Sequence, residues 1–407
     1  MTLRARARRL ALAALVVLGL AGGLLAAEFG ARVYESVRRP RKDSLGVEDP
    51  VRHHRWKPSG RGRVRGIEYE TNSLGLRDRE YAVPKPAGAS RILMLGDSFT
   101  EGWTLPLVGV VAKRLEQSLE LRCRSPYEVI NAGNASYSPI LEYLLLEQIG
   151  PLLRPDLVLL NFDMTDVHDD FIRTRLARLD AKGLPIAVPA DRRRETALLI
   201  PPLGPSSIAR ALDPVNQLLK SSLLYQAFRK ARPGQWLLGP IRLSPERLEA
   251  LGLLGNVSYD VLAITRNGDY PGLAAAWSDT ERYILGIRDL ARANGAAFVL
   301  VVYPYAHQIS ATASAEGRRK FGMGPGLYAS ESPFRILEDL GRRGGFPVLN
   351  LRSFIRAALE AQERAGGLPF YWPHDIHFTV HGARAFAEGI EQGLWRSGFL
   401  TDCLLAN

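Results

Sequence analysis

The apolar residues of this chain gather into five short unbroken runs, Arg91–Leu95, Tyr127–Asn131, Leu157–Asn161, Ala297–Tyr303 and Phe346–Leu351. Hydrophobicity that is continuous rather than alternating marks strands buried on both faces, as in a parallel sheet covered by helices. Helical patterns separate the runs at Leu107–Leu121, Ile140–Leu153, Asp279–Asn294 and Phe334–Arg343, and Gly382–Arg396 follows the last run. The alternation predicts an α/β fold: a three-layer α/β/α sandwich around a five-stranded parallel sheet, with right-handed crossovers.

One stretch breaks the rhythm. Residues 172–279 are rich in Arg, Pro and Gly, with helical pieces near Ile208–Lys230 and Ser244–Leu253. A structureless loop of that length is out of place in a compact domain, so a mainly helical insertion or lid is expected there. The core is then expected in two pieces, 89–171 and 280–398, preceded by a lead-in segment at 43–88 and followed by a tail at 399–407.

The N-terminal segment, 1–42, has its own pattern. Arg4, Arg6, Arg8 and Arg9 precede an uncharged run from Leu10 to Ala27, whose eighteen residues are enough to cross a bilayer as a helix. A cleaved signal peptide shares these features. No Ala-x-Ala site follows the run, and Glu28–Glu35 continues the helical pattern, which favours an uncleaved anchor through residues 10–27 with the rest of the chain extracytoplasmic.

Charge adds little to this picture. Residues 1–42 carry a net +7, so only +4 of the chain's +11 falls on the remainder. The block Arg38-Arg39-Pro40-Arg41-Lys42 suits a solvated linker or a lipid headgroup contact, and nucleic-acid binding is not expected. Cys123 and Cys403 are the two cysteines. An oxidising compartment would permit them to pair, but spacing alone does not show that they meet.

Chemistry enters where the first strand stops. Gly96-Asp97-Ser98 places a serine at the strand's C-terminal tip, and Asp375-Ile376-His377 answers it about 280 residues further on. A serine hydroxyl becomes a useful nucleophile when a base takes its proton and a carboxylate orients that base. In an open parallel sheet, ligands bind at the carboxyl ends of the strands. Gly133, Asn134 and Ser136 follow the second strand, Asp163, Thr165 and Asp166 the third, and Asp375 and His377 the fifth, so all belong to one rim. His374, His377 and His381 invite a metal reading. Pro373 and Gly382 flank them, no cysteine or carboxylate stands at a recurrent zinc spacing, and neither metal nor cofactor is expected. Asp163, Asp166, Asp169 and Asp170 could bind a cation, although such residues more often cap a helix or line a polar loop. Trp103 and Trp372 flank the serine and the histidine, where they could pack in the core or stack on sugar rings.

These residues resemble a known family. Ile92-Leu-Met-Leu-Gly-Asp-Ser-Phe-Thr100, Val129-Ile-Asn-Ala-Gly133 and Asp375-Ile-His-Phe-Thr-Val-His-Gly382 are similar to the first, second and fifth motif blocks of the SGNH (GDSL-type) hydrolase superfamily. Thr71-Asn-Ser-Leu-Gly-Leu-Arg-Asp-Arg-Glu80 is similar to the segment ahead of the first block in membrane-anchored members. The resemblance spans roughly 68–395, with the insertion poorly matched, and implies a flavodoxin-like sheet. By resemblance Ser98 is the nucleophile, His377 the base and then acid, Asp375 the group that orients His377, and the Ser98 N–H an oxyanion donor. The chain departs from the family at two other donors: Ser136 stands where the second block has glycine, and Thr165, before Asp166, where the third has asparagine. The Asp-x-His spacing resembles members that acetylate or deacetylate cell-envelope polysaccharides.

The resulting expectation is an extracytoplasmic serine esterase or O-acyltransferase acting on an acylated glycan or other ester, with protein partners undetermined. A lipid esterase or thioesterase with the insertion as a lid, and a non-catalytic glycan-binding component on the same fold, remain alternatives.

Overall fold

The computed structural model describes residues 45–191 apart from 65, 272–320 and 329–403, with scattered positions in 15–33 and 194–270. The expected helices near 208–230 and 244–253 lie outside the described residues. One unit comprises residues 45–200 and 243–407, and a second comprises 1–44 and 201–242. Of the second, residues 22–33 are helical, and Leu15, Val16, Leu24, Leu25 and Phe29 are exposed. Among the described residues no helix is long and apolar enough to cross a membrane. Most of the first half of the run 10–27 lies outside them.

The first unit opens with two small antiparallel hairpins in the lead-in, β1 (Gly46–Asp49) with β2 (His53–Trp56) and β3 (Arg61–Val64) with β4 (Ile67–Glu70). Then come β5 (Ser90–Gly96), α1 (Ser98–Glu101), α2 (Val111–Arg122), β6 (Tyr127–Gly133), α3 (Pro139–Leu153), β7 (Leu157–Phe162) and α4 (Asp166–Thr174). After a short hairpin of β8 (Arg178–Leu179) and β9 (Pro185–Ala187), the described core resumes with α5 (Leu273–Ala293) and β10 (Ala297–Val302). Two short helices, α6 (Ala306–Ile309) and α7 (Ala315–Lys320), lead to α8 (Ser332–Gly344), β11 (Val348–Asn350), α9 (Arg352–Arg364) and α10 (Val380–Arg396).

All five apolar runs are strands of one parallel sheet, in the order β11-β10-β7-β5-β6. Leu93, Val129, Leu159 and Val301 are fully buried because helices cover both faces. α5 packs with α3 and α4, and α10 packs with α2 and α9. β5 is flanked by β6 on one side and β7 on the other, so the chain reverses its direction of travel across the sheet at β5. Loops diverge at such a point and leave a crevice above the strand ends.

Several expectations needed adjustment. α5 starts at Leu273, six residues before the expected position, because Ala276 and Trp277 are buried and extend its apolar stripe. Leu176, Val188, Val257 and Ile264 join the same hydrophobic core, which draws both edges of the expected insertion inward. The lead-in is fastened to the core by Arg77. Its side chain is 1% exposed, and Nη1 donates to the carbonyls of Glu101 (2.9 Å) and Gly102 (2.8 Å), with Nη2 reaching that of Leu105. Cys123, at the end of α2, is disulfide-bonded to Cys403 beyond α10.

Candidate active site

β5 ends at Gly96, and Asp97 caps the first turn of α1 by accepting the Phe99 N–H at 2.9 Å. Ser98 is therefore the first residue of a helix placed directly above a buried strand, a position its neighbours hold rigidly. The other half of the site comes from a turn before α10. Tyr371 and Phe378 form an antiparallel bridge, and the Trp372 N–H donates to the His377 carbonyl at 3.0 Å. Thr379 then caps α10 by accepting the N–H groups of His381 and Gly382. This turn delivers His377 to Ser98.

Ser98 Oγ lies 2.8 Å from His377 Nε2. His377 Nδ1 contacts Asp375 Oδ1, which also accepts the His377 backbone N–H at 3.2 Å. A carboxylate against Nδ1 selects the tautomer with its proton there, leaving Nε2 as the acceptor for the serine hydroxyl. Burial would raise the Asp375 carboxyl, but the hydrogen bond and charge of His377 outweigh it and hold it down at about 2. Phe99 lies against the imidazole at 4.7 Å between ring centroids, and Trp103 borders it at 5.9 Å. These three groups form the serine–histidine–aspartate relationship that the spacing suggested.

Of the five binding candidates, two reach the rim. Ser136 is exposed and has φ +62°, a conformation glycine adopts freely and other residues seldom do. Its backbone thus adopts a glycine-type conformation although the residue is serine. Thr165 is half-buried, and its hydroxyl donates to Asp163 Oδ1 at 2.6 Å, so that proton is already engaged. The other three lie beneath the surface. Gly133 is buried in β6, Asn134 is 6% exposed and donates its N–H to the Gly96 carbonyl, and Asp166 is fully buried at the start of α4. All three are buried beneath the rim rather than exposed on it.

Beneath the nucleophile lies a set of buried carboxyls that the sequence pattern did not reveal. Asp163 accepts from the Thr165 N–H (2.7 Å), Tyr303 (3.1 Å) and Tyr305 (2.7 Å). Tyr303 also reaches Asp97 at 3.4 Å, and Asp97 Oδ2 stands 3.0 Å from Ser98 Oγ. Burial, reinforced by Asp163, pushes the Asp97 carboxyl well up. Glu142 and Asp166 are likewise raised well above the carboxylate range, by burial first and then by neighbouring carboxyls, and burial lifts Asp170 to about 7. Asp163, Asp166 and Asp170 therefore form a buried acidic interior, and two of them cap helices as expected: Asp163 accepts the Thr165 N–H ahead of α4, and Asp170 the Ile140 N–H in the first turn of α3 at 3.0 Å. His374 and His381 do not join His377 around a common point. Among the described residues the one His/Cys/Asp/Glu group with ligand-like spacing is Cys123, Asp402 and Cys403, whose cysteines are consumed by the disulfide.

Three supporting residues were not foreseen. Glu101 is fully buried and accepts from Ala135 N–H (2.6 Å), Tyr69 (2.9 Å) and Trp56 (3.1 Å). His54 reaches the Ala135 carbonyl at 2.8 Å, and Ser314 the Asp375 carbonyl at 2.7 Å. A glutamate directly after Ser-Phe-Thr and a His-His pair in the lead-in were the available signals; for Ser314 there was none.

No protein-family model matches this chain, and no curated protein matches it. Solved structures do show similarity. TesA aligns with a TM-score of 0.36 at 11% identity, over 75% of this chain and 98% of its own. The acetyl xylan esterase AlAXEase aligns with a TM-score of 0.35 at 12% identity, over 75% and 99%. A catalytic mutant of Axe2, an acetylxylan esterase from Geobacillus stearothermophilus, aligns with a TM-score of 0.36 at 12% identity, over 75% and 94%.

Proposed function

We propose that this chain is a serine esterase that removes, or transfers, an acyl group held as an O-ester, the acyl group being acetyl and its carrier a glycan of the cell envelope. The observation that carries this reading is the 2.8 Å contact between Ser98 Oγ and His377 Nε2, with Asp375 on the opposite ring nitrogen. As Ser98 Oγ bonds to the ester carbonyl carbon, its proton passes to His377 Nε2. The tetrahedral oxyanion collapses, the ester C–O bond breaks, and the imidazolium returns its proton to the departing alkoxide. Water activated by the same imidazole releases acetate from Ser98, whereas a sugar hydroxyl in that position regenerates an ester and makes the reaction a transfer. Trp103, half-buried beside His377, offers a ring on which a sugar can stack.

The same reading places the catalytic unit outside the cytoplasm, anchored through residues 10–27. Arginines ahead of that run favour an N-terminus held inside, and the Cys123–Cys403 bond suits an oxidising compartment.

The test uses the full chain with a chromogenic acetyl ester, with and without an added oligosaccharide acceptor. Ser98→Ala abolishes acetate release if Ser98 is the nucleophile; equal release by both proteins overturns the assignment. Acetyl appearing on the acceptor identifies transfer, and free acetate alone identifies hydrolysis.

A further inference from the structure

The peptide group joining Ala135 to Ser136 is gripped by a residue that belongs to neither the sheet nor the catalytic turn. His54 lies in β2 of the lead-in, and its Nε2–H donates to the Ala135 carbonyl oxygen at 2.8 Å. Tyr137 returns the contact, donating its hydroxyl to the His54 carbonyl at 2.7 Å, with its ring edge-on to the imidazole. The N–H at the other end of the gripped peptide is that of Ser136, and among the described residues it has no hydrogen-bond partner.

We propose that His54 is a positioning residue that aims the Ser136 N–H at the oxyanion formed when Ser98 attacks. This role rests on the esterase reading given above. A trans peptide is planar, with its C=O and N–H pointing in opposite directions. Fixing the Ala135 oxygen toward β2 therefore fixes the Ser136 N–H away from β2. A donor on the carbonyl also polarises the peptide and strengthens its N–H as a donor.

The neighbouring peptides are held as well. Glu101 accepts the Ala135 N–H at 2.6 Å, and Arg173 donates to the Ser136 carbonyl oxygen and, at 2.8 Å, to Ser138 Oγ. The turn needs this restraint, because Ser136 holds a positive φ without being glycine. The charged and titratable groups facing His54 are few. His53 Nδ1 is 2.9 Å from His54 Nδ1, and the other ring nitrogen of His53 lies 3.5 Å from Glu195. Burial, with Arg173 and His53 adding to it, keeps His54 neutral down to about pH 4. With Nε2 protonated, Nδ1 is left to accept from His53.

The test compares His54→Phe and His54→Gln in the full chain, using the acetyl ester. Phenylalanine keeps the ring bulk and removes the donor; glutamine places an amide N–H near the position of Nε2. Losing one oxyanion donor costs about 10²–10³ in kcat, and misaiming it costs part of that. The expected result is a fall of about tenfold or more in kcat for His54→Phe at nearly constant KM, with most of it restored in His54→Gln. The pH–rate profile keeps its shape in both, since neutral His54 does not titrate in the working range. An unchanged kcat in His54→Phe overturns the proposal, and so does an equal fall in both variants. A wild-type protein that releases no acetate overturns the esterase reading itself, which separates the two failures.

Discussion

The Ser314 hydroxyl donates to the backbone carbonyl oxygen of Asp375 at 2.7 Å, so the carboxylate that orients His377 is braced from a loop outside its own turn. Glu316 and Gly317 strengthen the brace by donating their N–H groups to the Pro373 carbonyl at 3.1 and 3.0 Å. Ser314→Ala removes one hydrogen bond of about 1 kcal/mol. The expected outcome is a fall of roughly fivefold in kcat, with KM unchanged and the melting temperature lowered by no more than a few degrees. Steady-state kinetics on an acetyl ester read the effect; an unaltered kcat would show that the Asp375 turn holds itself.

Gly133 has no side chain because α1 lies against it. A Cβ there would lie 2.2 Å from the Glu101 nitrogen and 2.6 Å from the Thr100 carbonyl carbon, both main-chain atoms. Gly133→Ala must displace the helix that begins with Ser98. Overpacking of this kind costs about 1–3 kcal/mol, and it moves the nucleophile as well. Thermal unfolding and acetate release should fall together in this variant. A stable protein of full activity would mean that α1 shifts freely.

Glu142 is fully buried, and among the described residues neither carboxylate oxygen has a hydrogen-bond partner. Burial and the nearby carboxyls raise its pKa well above the usual range in the folded protein. A raised folded pKa means that its contribution to stability is complete below the unfolded value, about 4.5, and is lost as pH rises toward the folded one. Glu142→Gln does not titrate, so its stability relative to wild type should improve on going from about pH 5 to pH 8. The relative gain is about 1.4 kcal/mol for each pH unit over which the folded carboxyl stays protonated while the unfolded one is ionised. Denaturant unfolding at the two pH values measures it, and an identical difference at both would refute the assignment.

The disulfide should matter to stability. It closes a loop with a sequence separation of 280 residues. Replacing both cysteines, as in Cys123→Ser with Cys403→Ser, should cost on the order of 2–5 kcal/mol and leave KM unchanged. Differential scanning of the double variant beside wild type would show it, and coincident transitions would argue against a stabilising bond.

The strands were legible because each is covered on both faces, so that Ile92–Leu95 and Leu157–Leu160 carry no solvent-facing polar positions to obscure the pattern. The lead-in hairpins were not. β3 reads Arg61-Gly-Arg-Val64, a strand exposed along most of its length whose order comes from its partner rather than from an apolar face. α9 has no legible pattern for a related reason: only Ile355 and Leu359 of its residues are buried, too narrow a stripe to stand out. Ser98, Asp375 and His377 could be found from spacing, since the chemistry demands those three groups. The acidic interior could not, because Glu142 reaches Asp166 from a different helix and nothing local signals its burial. Glu101 and His54 act through the main chain of a distant turn, a relationship that only the folded arrangement creates.

Cys123 follows Ser98, and Cys403 follows His377, so the bond between them has a topological consequence. A protease cut anywhere between Cys123 and His377, including throughout residues 172–279, separates the polypeptide that carries the serine from the one that carries the histidine. The two fragments nevertheless remain a single covalent molecule. Such a nicked protein would run as one band without reductant and as two with it, and its catalytic halves would disperse only on reduction and unfolding.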